Sequence, residues 1–147
     1  MTDTVLYKVR RAHGDREMQD LLELRHDVFC NEQGVPENEE ADGRDPEALH
    51  LVALVDGVVV GTCRVLMVGS TAQFSRLAIL ASMRRRGIAT SLLDVAEAET
   101  RAAGGRRLVL HAQTYARELY ELAGYRARGR VFVEAGIEHV AMEKTLA

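Results

Sequence analysis

The sequence predicts a mixed α/β (α+β) fold, with a central sheet of about seven strands and flanking helices. Three observations carry this expectation. Short apolar runs with strand character cluster after residue 50 and again after residue 107, and Asp56-Gly57 between two such runs is a strong signal for a tight hairpin. Two stretches, around Met18–Phe29 and Ile88–Ala103, instead repeat their apolar residues at helical spacing. No repeat or low-complexity linker divides the 147 residues, so residues 1–147 are expected to form a single domain with one core.

In chain order, Val5–Val9 reads as a first strand. Asp15 is a candidate N-cap for a helix whose apolar face is Met18, Leu21, Leu22, Val28 and Phe29. Arg25 falls on that same face, where a guanidinium needs a partner. Asn31–Glu47 is irregular, holds both prolines, and carries seven acids against one base, Arg44. A loop of this length inside a domain is usually functional or disordered. His50–Val55 and Val58–Val65 form the hairpin, and Ala72–Ile79 extends it after Gly69-Ser70. A helix marked by Ile88, Leu92, Val95, Ala96 and Ala103 ends at Gly104-Gly105. Arg107–His111, a helix around Ala116–Ala123, and strands Tyr125–Phe132 and His139–Leu146 complete the set. The order is β-α-loop-β-β-β-α-β-α-β-β, which excludes a purely parallel sheet.

Composition narrows the function. Apolar residues at 47% and charged residues at 28% suit a soluble globular protein. A net charge of −3 gives no general attraction to nucleic acid or to an anionic membrane. Three Phe, four Tyr and no Trp leave little for a base-stacking platform. Cys30 and Cys63 form no C-x-x-C pair, which favours a reducing, cytoplasmic setting. Met1–Val9 lacks the apolar run of a signal peptide, and no stretch of about 18 apolar residues would span a membrane. No metal is expected, because His26 and Cys30 at helical spacing are two groups alone.

Within this acidic chain, Arg84-Arg85-Arg86-Gly87-Ile88-Ala89-Thr90 concentrates positive charge between a strand and an amphipathic helix. A helix start leaves about four backbone N–H groups without intrahelical partners, and these with the helix dipole make an anion site. Gly87 allows close backbone approach and Ala89 is small. No Gly-Lys-Ser/Thr ending and no Gly-x-Gly-x-x-Gly occurs, so P-loop and Rossmann turns fit worse. On pattern alone, a solvated basic loop is the competing reading.

Arg84-x-x-Gly87-x-Ala89 after Ala72–Ile79 resembles the coenzyme A signature of the GCN5-related N-acetyltransferases. Arg25-His26-Asp27-Val28-Phe29 with Glu32-Gln33, then Leu110-His111-Ala112-Gln113, then Glu134-Ala135-Gly136-Ile137-x-His139 with Met142, is similar to the single-domain ElaA/YjcF-like bacterial subgroup. The resemblance spans roughly Leu6 to Leu146. It implies a splayed mixed sheet holding acetyl-coenzyme A between Ala72–Ile79 and Arg107–His111. The backbone of Leu77, Ala78 and Ile79 would pair with the pantetheine arm, Arg84 to Thr90 would hold the pyrophosphate, and Gln113 would join the cofactor contacts.

The implied reaction is direct transfer of an acetyl group to a primary amine of a small molecule or peptide. It needs a neutral amine, a stabilised oxyanion and a protonated leaving thiolate. Tyr120, in Leu119-Tyr120-x-x-x-Gly124-Tyr125, resembles the family's acid, although Ala116, Leu119, Tyr120 and Ala123 also read as one apolar face. Many relatives carry a strand glutamate where this chain has Phe74, Ser75 and Arg76, so Glu32, Glu134 and His139 are the candidates for the base. Arg25, Phe29, Asp42, Asp45 and His111 are expected on the acceptor side, with Arg25 pairing with Asp42 or Asp45 to fold the acidic loop over the pocket. The surplus acids would favour a cationic amine. Arg25-x-x-x-Phe29 with Asp42 and Asp45 also resembles acyl-homoserine-lactone synthases, which carry a tryptophan absent here; a non-catalytic acyl-coenzyme A sensor is the reading outside enzymes. The acceptor's identity and assembly as a homodimer stay open.

Overall fold

The computed structural model describes residues 6–146. Strand β1 spans Lys8–Arg11, later than the expected Val5–Val9, and Val5 lies outside the described residues. Helix α1 (Gly14–Arg25) follows, with His13 rather than Asp15 at its N-cap. The Glu17 carboxylate accepts the His13 backbone N–H at 2.8 Å, closing the first turn of the helix. From His26 to Glu32 the chain continues as a π-helix, and the Gln33 N–H reaches back to the Val28 carbonyl. The expected single α-helix thus widens in its last turns, a form that recurs at functional sites. The acidic loop contains one short helix, α2 (Glu37–Glu40), and a single 3₁₀ turn at Asp45–Glu47.

Strands β2 (Leu49–Val55) and β3 (Val58–Val68) meet at Asp56-Gly57, where φ values of 49° and 79° give the expected tight turn. The remaining elements are β4 (Thr71–Ile79), α3 (Ile88–Ala102), β5 (Arg107–Gln113), α4 (Arg117–Leu122), β6 (Arg126–Glu134) and β7 (Ile137–Thr145). They form one seven-stranded sheet in the order β1-β2-β3-β4-β5-β7-β6, in which only β4 and β5 run parallel.

The sheet is covered on both faces, and the period of a strand explains how. Leu51 and Ala53 of β2 join a core with Leu92, Leu93 and Ala96 of α3. Val52 and Leu54 point the other way, to Leu21, Leu24 and Val28. A strand buried on both faces reads as a nearly continuous apolar run, as β2 does from Leu51 to Val55. On the α3 face Glu97 is buried and accepts from the Tyr125 hydroxyl and the Lys144 ammonium, each at 2.9 Å, tying the helix to the β6–β7 side. Ala103, expected on the apolar stripe, is exposed because the helix ends at Ala102. Among the described residues no helix is long and apolar enough to cross a membrane.

Gly61 sets how closely the start of α3 approaches the sheet. A Cβ there would lie 3.1 Å from both Ile79 Cδ1 and Ile88 Cγ2. Gly61→Val is expected to destabilise the fold by about 1–3 kcal/mol through overpacking, read as a lower urea midpoint with an unchanged slope.

Candidate functional site

The sheet splits in the middle. β4 pairs with β5 only from Thr71 to Phe74, opposite Arg107 to Leu110. Beyond Phe74, β4 stays paired with β3 alone. A bulge causes the divergence: Thr62 pairs with Ala78 and Arg64 with Ser75, so Arg76 and Leu77 together oppose the single residue Cys63. Arg76 takes a left-handed φ of 57° there, which turns the strand. One edge of β4 from Ser75 to Ile79 therefore faces no strand. A cleft of about 510 Å³ opens at the split, lined by Leu77, Gln113, Tyr120, Glu134 and His139 among others.

At the far end of β4 lies the basic turn. Arg85 at φ 63° and Gly87 at φ 83° are both left-handed, and the first α3 bond is donated by Ser91 to the Gly87 carbonyl. The Ile88, Ala89 and Thr90 amides thus head the helix without intrahelical partners. Ile88 is buried, so only its backbone is available; Ala89 is half-buried and Thr90 is exposed, as are Arg85 and Arg86. Arg84 donates from Nε to the Ile79 carbonyl at 3.0 Å, fastening the turn to the strand end. Its Nη2 holds both oxygens of Glu32 at 2.9 Å. Tyr7, unmarked in the sequence, braces the turn: its hydroxyl lies 2.7 Å from Ser91 Oγ.

Of the four candidate acids and bases, three line the cleft. Tyr120 is only 6% exposed and sits edge-on to Phe74 and Tyr125, so it is both core and cleft. Burial pushes its phenol well above the usual range, so it is protonated and able to donate. Its hydroxyl bonds to no described residue. His139 is 7% exposed, and its Nδ1 lies 2.7 Å from the Ile137 carbonyl. A carbonyl only accepts, so Nδ1 carries hydrogen and the neutral ring keeps its lone pair on Nε2. Phe132 stacks on His139 at 5.9 Å and meets His111 edge-on at 5.0 Å. Glu134 accepts from His111 Nδ1 at 3.1 Å, and both line the cleft. Glu32 does not line it, because Arg84 holds it at the basic turn.

The acidic loop is clamped by three arginines, of which the sequence singled out one. Arg25, 1% exposed, donates to Glu40 at 2.6 Å and to Asp45 at 2.9 Å. Asp42 pairs instead with Arg64, by two bonds of 2.8 and 2.7 Å, because Arg64 on β3 lies under the loop tip. Arg64 also reaches Asp45 at 3.1 Å. Arg76, from the bulge, donates to the Glu40 carbonyl at 2.9 Å and to that of Glu39 at 3.3 Å. Arg25 and Asp45 thus lie outside the cleft and position its wall, whereas Asp42, Phe29 and Gln113 line it. Gln113 donates to Gln33, the residue that follows the π-helix, at 2.9 Å, bridging the two halves of the split. Among the described residues no group of three His, Cys, Asp or Glu is placed to hold a metal ion.

Hydrogen bonds from Arg64 hold the Asp42 carboxyl well below the usual carboxylate range, against the opposing effect of burial. The stability it contributes is present above its unfolded pKa near 4 and is lost as pH falls through the lower native value. Asp42→Asn is expected to cost about 1–3 kcal/mol at neutral pH. Urea unfolding should show the gap to the wild type narrowing as pH drops below about 4.

Comparison with known proteins agrees with this geometry. The sequence profile of the acetyltransferase (GNAT) domain matches residues 13–146. A Bacillus subtilis protein named for an acetyltransferase is 35% identical over 139 residues, covering 92% of this chain and 95% of its own. The uncharacterised N-acetyltransferase YjcF of the same organism is 31% identical over 134 residues, covering 90% and 96%. The crystal structure of an acyl-CoA N-acyltransferase from Pseudomonas aeruginosa superposes with a TM-score of 0.82 at 26% identity, covering 95% and 99%. A split mixed sheet, a basic helix start at the end of its bulged strand, and relatives matched along nearly their whole length identify the chain as an acyltransferase of the GNAT acetyltransferase family.

Proposed function

We propose that the protein transfers an acetyl group from acetyl-coenzyme A to a primary amine by direct attack within the cleft. The observation that supports this most is the split itself. The unpaired edge of β4 runs from the cleft, where Tyr120 and His139 present unpartnered polar groups, to the free amides that head α3. An extended amide-bearing arm can pair with that edge at Leu77, Ala78 and Ile79. A pyrophosphate fits the amides of Ile88 to Thr90 under Arg84, Arg85 and Arg86. The acyl-coenzyme A named for the Pseudomonas aeruginosa neighbour has this chemistry.

In the reaction the amine nitrogen bonds to the thioester carbonyl carbon, and the C–S bond breaks. His139 Nε2 takes the proton that the amine sheds, directly or through water. Tyr120 donates its hydroxyl hydrogen toward the departing sulfur. Its raised pKa keeps it protonated up to that step, and solvent re-protonates it after the thiol leaves. His111 and Glu134 line the acceptor side of the cleft, and Glu32 tunes Arg84 from outside it.

Thermal unfolding with acetyl-coenzyme A, free coenzyme A, S-adenosylmethionine and ATP tests the donor. A ligand at about 100 times its dissociation constant adds roughly 2.7 kcal/mol, a rise of several degrees. Acetyl-coenzyme A should stabilise and ATP and S-adenosylmethionine should not; no response to either coenzyme A form would remove the basic turn as the site. Tyr120→Phe should keep that stabilisation and lose turnover by roughly 10²-fold, measured by thiol release. Stabilisation without turnover on any amine would favour a non-catalytic acyl-coenzyme A sensor.

A further inference from the structure

The charges around the acceptor side of the cleft balance, except at two places. Arg25, Arg64 and Arg76 stand among Glu40, Asp42 and Asp45, three cations against three anions, each within 4 Å of an opposite partner. That cluster is neutral and its cations are already engaged. Glu39 and Glu134 also line the cleft, and neither has a cation of its own. Glu39 is exposed on α2 and its carboxylate bonds to no described residue. Glu134, 52% exposed at its side chain, touches only His111, which donates to it from Nδ1 whether or not the ring is charged. They stand on different sides of the split, one over the β4 half and one on the β6–β7 hairpin. The same cleft is lined by two polar side chains that are more than nine-tenths buried: Tyr120, whose hydroxyl bonds to no described residue, and His139, whose Nδ1 holds the Ile137 carbonyl while Nε2 has no partner among them. The exposed ring of Tyr115 borders the same space.

From this arrangement, and resting on the acetyl-transfer reading above, we propose that the acceptor is a diamine or polyamine. One amino group reacts at Tyr120 and His139 while the remaining ammonium groups are held by Glu39 and Glu134. Carboxylates with no cationic partner raise the local concentration of a dication and favour its binding. An amino acid or other carboxylate-bearing acceptor meets repulsion there, since Arg64 and Arg76 are committed to the loop. The Tyr115 ring adds a face for an ammonium group.

Thiol release from acetyl-coenzyme A, measured with putrescine, butylamine and β-alanine, decides the class. Putrescine should exceed butylamine in kcat/KM by about tenfold, with a gap that shrinks as salt is raised, and β-alanine should be the poorest. Glu39→Gln should raise the putrescine KM about five-fold and leave butylamine turnover and acetyl-coenzyme A binding unchanged. Glu39→Lys should do so more strongly, and adding Glu134→Gln should abolish the preference. Glu39 is exposed, so unfolding midpoints of its variants should match the wild type. Equal rates for putrescine and butylamine, or a preference for β-alanine, would overturn the diamine proposal and leave acetyl transfer standing. Acetyl-coenzyme A binding with none of the amines consumed would remove the transfer reading, and the proposal with it.

Discussion

The two-for-one pairing of Arg76 and Leu77 against Cys63 is the constraint from which the rest of the site follows. Had β4 kept a regular register, its hydrogen bonds to β5 would continue past Phe74 and no edge would be open. A left-handed non-glycine residue costs roughly 1–2 kcal/mol, so the turn at Arg76 must be supported. Buried Cys63 and the β3 ladder support it on one side. The guanidinium of Arg76 itself supports it on the other, by holding the carbonyls of Glu39 and Glu40. One residue thus both opens the edge of β4 with its backbone and fastens the acidic loop with its side chain.

That loop is located by charge more than by packing. Among residues 37–47 no side chain is buried, and the regular structure amounts to α2 and one 3₁₀ turn. Arg25, enclosed by α1 and the loop, would be a costly buried charge without Glu40 and Asp45. The pairing is therefore reciprocal: the helix needs the loop's acids, and the loop has few other anchors. A wall built this way depends on pH and salt more than an apolar wall would, and its geometry is set from three separate strands and helices.

Most of the architecture was legible because its signals are local. Asp56-Gly57, the stripe from Ile88 to Ala96, and Gly87 at the head of α3 each declare their structure within a few residues. The basic turn was legible for the same reason. What the sequence hid are pairings between distant positions: Arg64 with Asp42, 22 residues apart, Arg76 with Asp42, 34 apart, and Tyr7 with Ser91, 84 apart. Nothing local marks those residues as partners. The π-helix was hidden too, since its residues read as an ordinary continuation of α1. Glu32 read as a candidate base, and only the folded chain brings Arg84 to it across 52 residues.

The chemistry of the cleft carries a conflict that its layout resolves. Carboxylates that attract an ammonium group also hold its proton, because a nearby negative charge favours the charged form. A site built only of acids would bind amines well and acylate them poorly. Here the unbalanced acids, Glu39 and Glu134, are exposed, whereas Tyr120 and the Nδ1-hydrogenated His139 are buried. In the proposed reaction, burial would disfavour a charged amine beside Tyr120 and leave His139 Nε2 to accept its proton. Under that proposal, the binding charge and the reacting nitrogen of the acceptor would occupy different environments, one exposed and anionic, one buried and neutral. An acceptor with two nitrogens can satisfy both at once, and one with a single nitrogen must give up one of them.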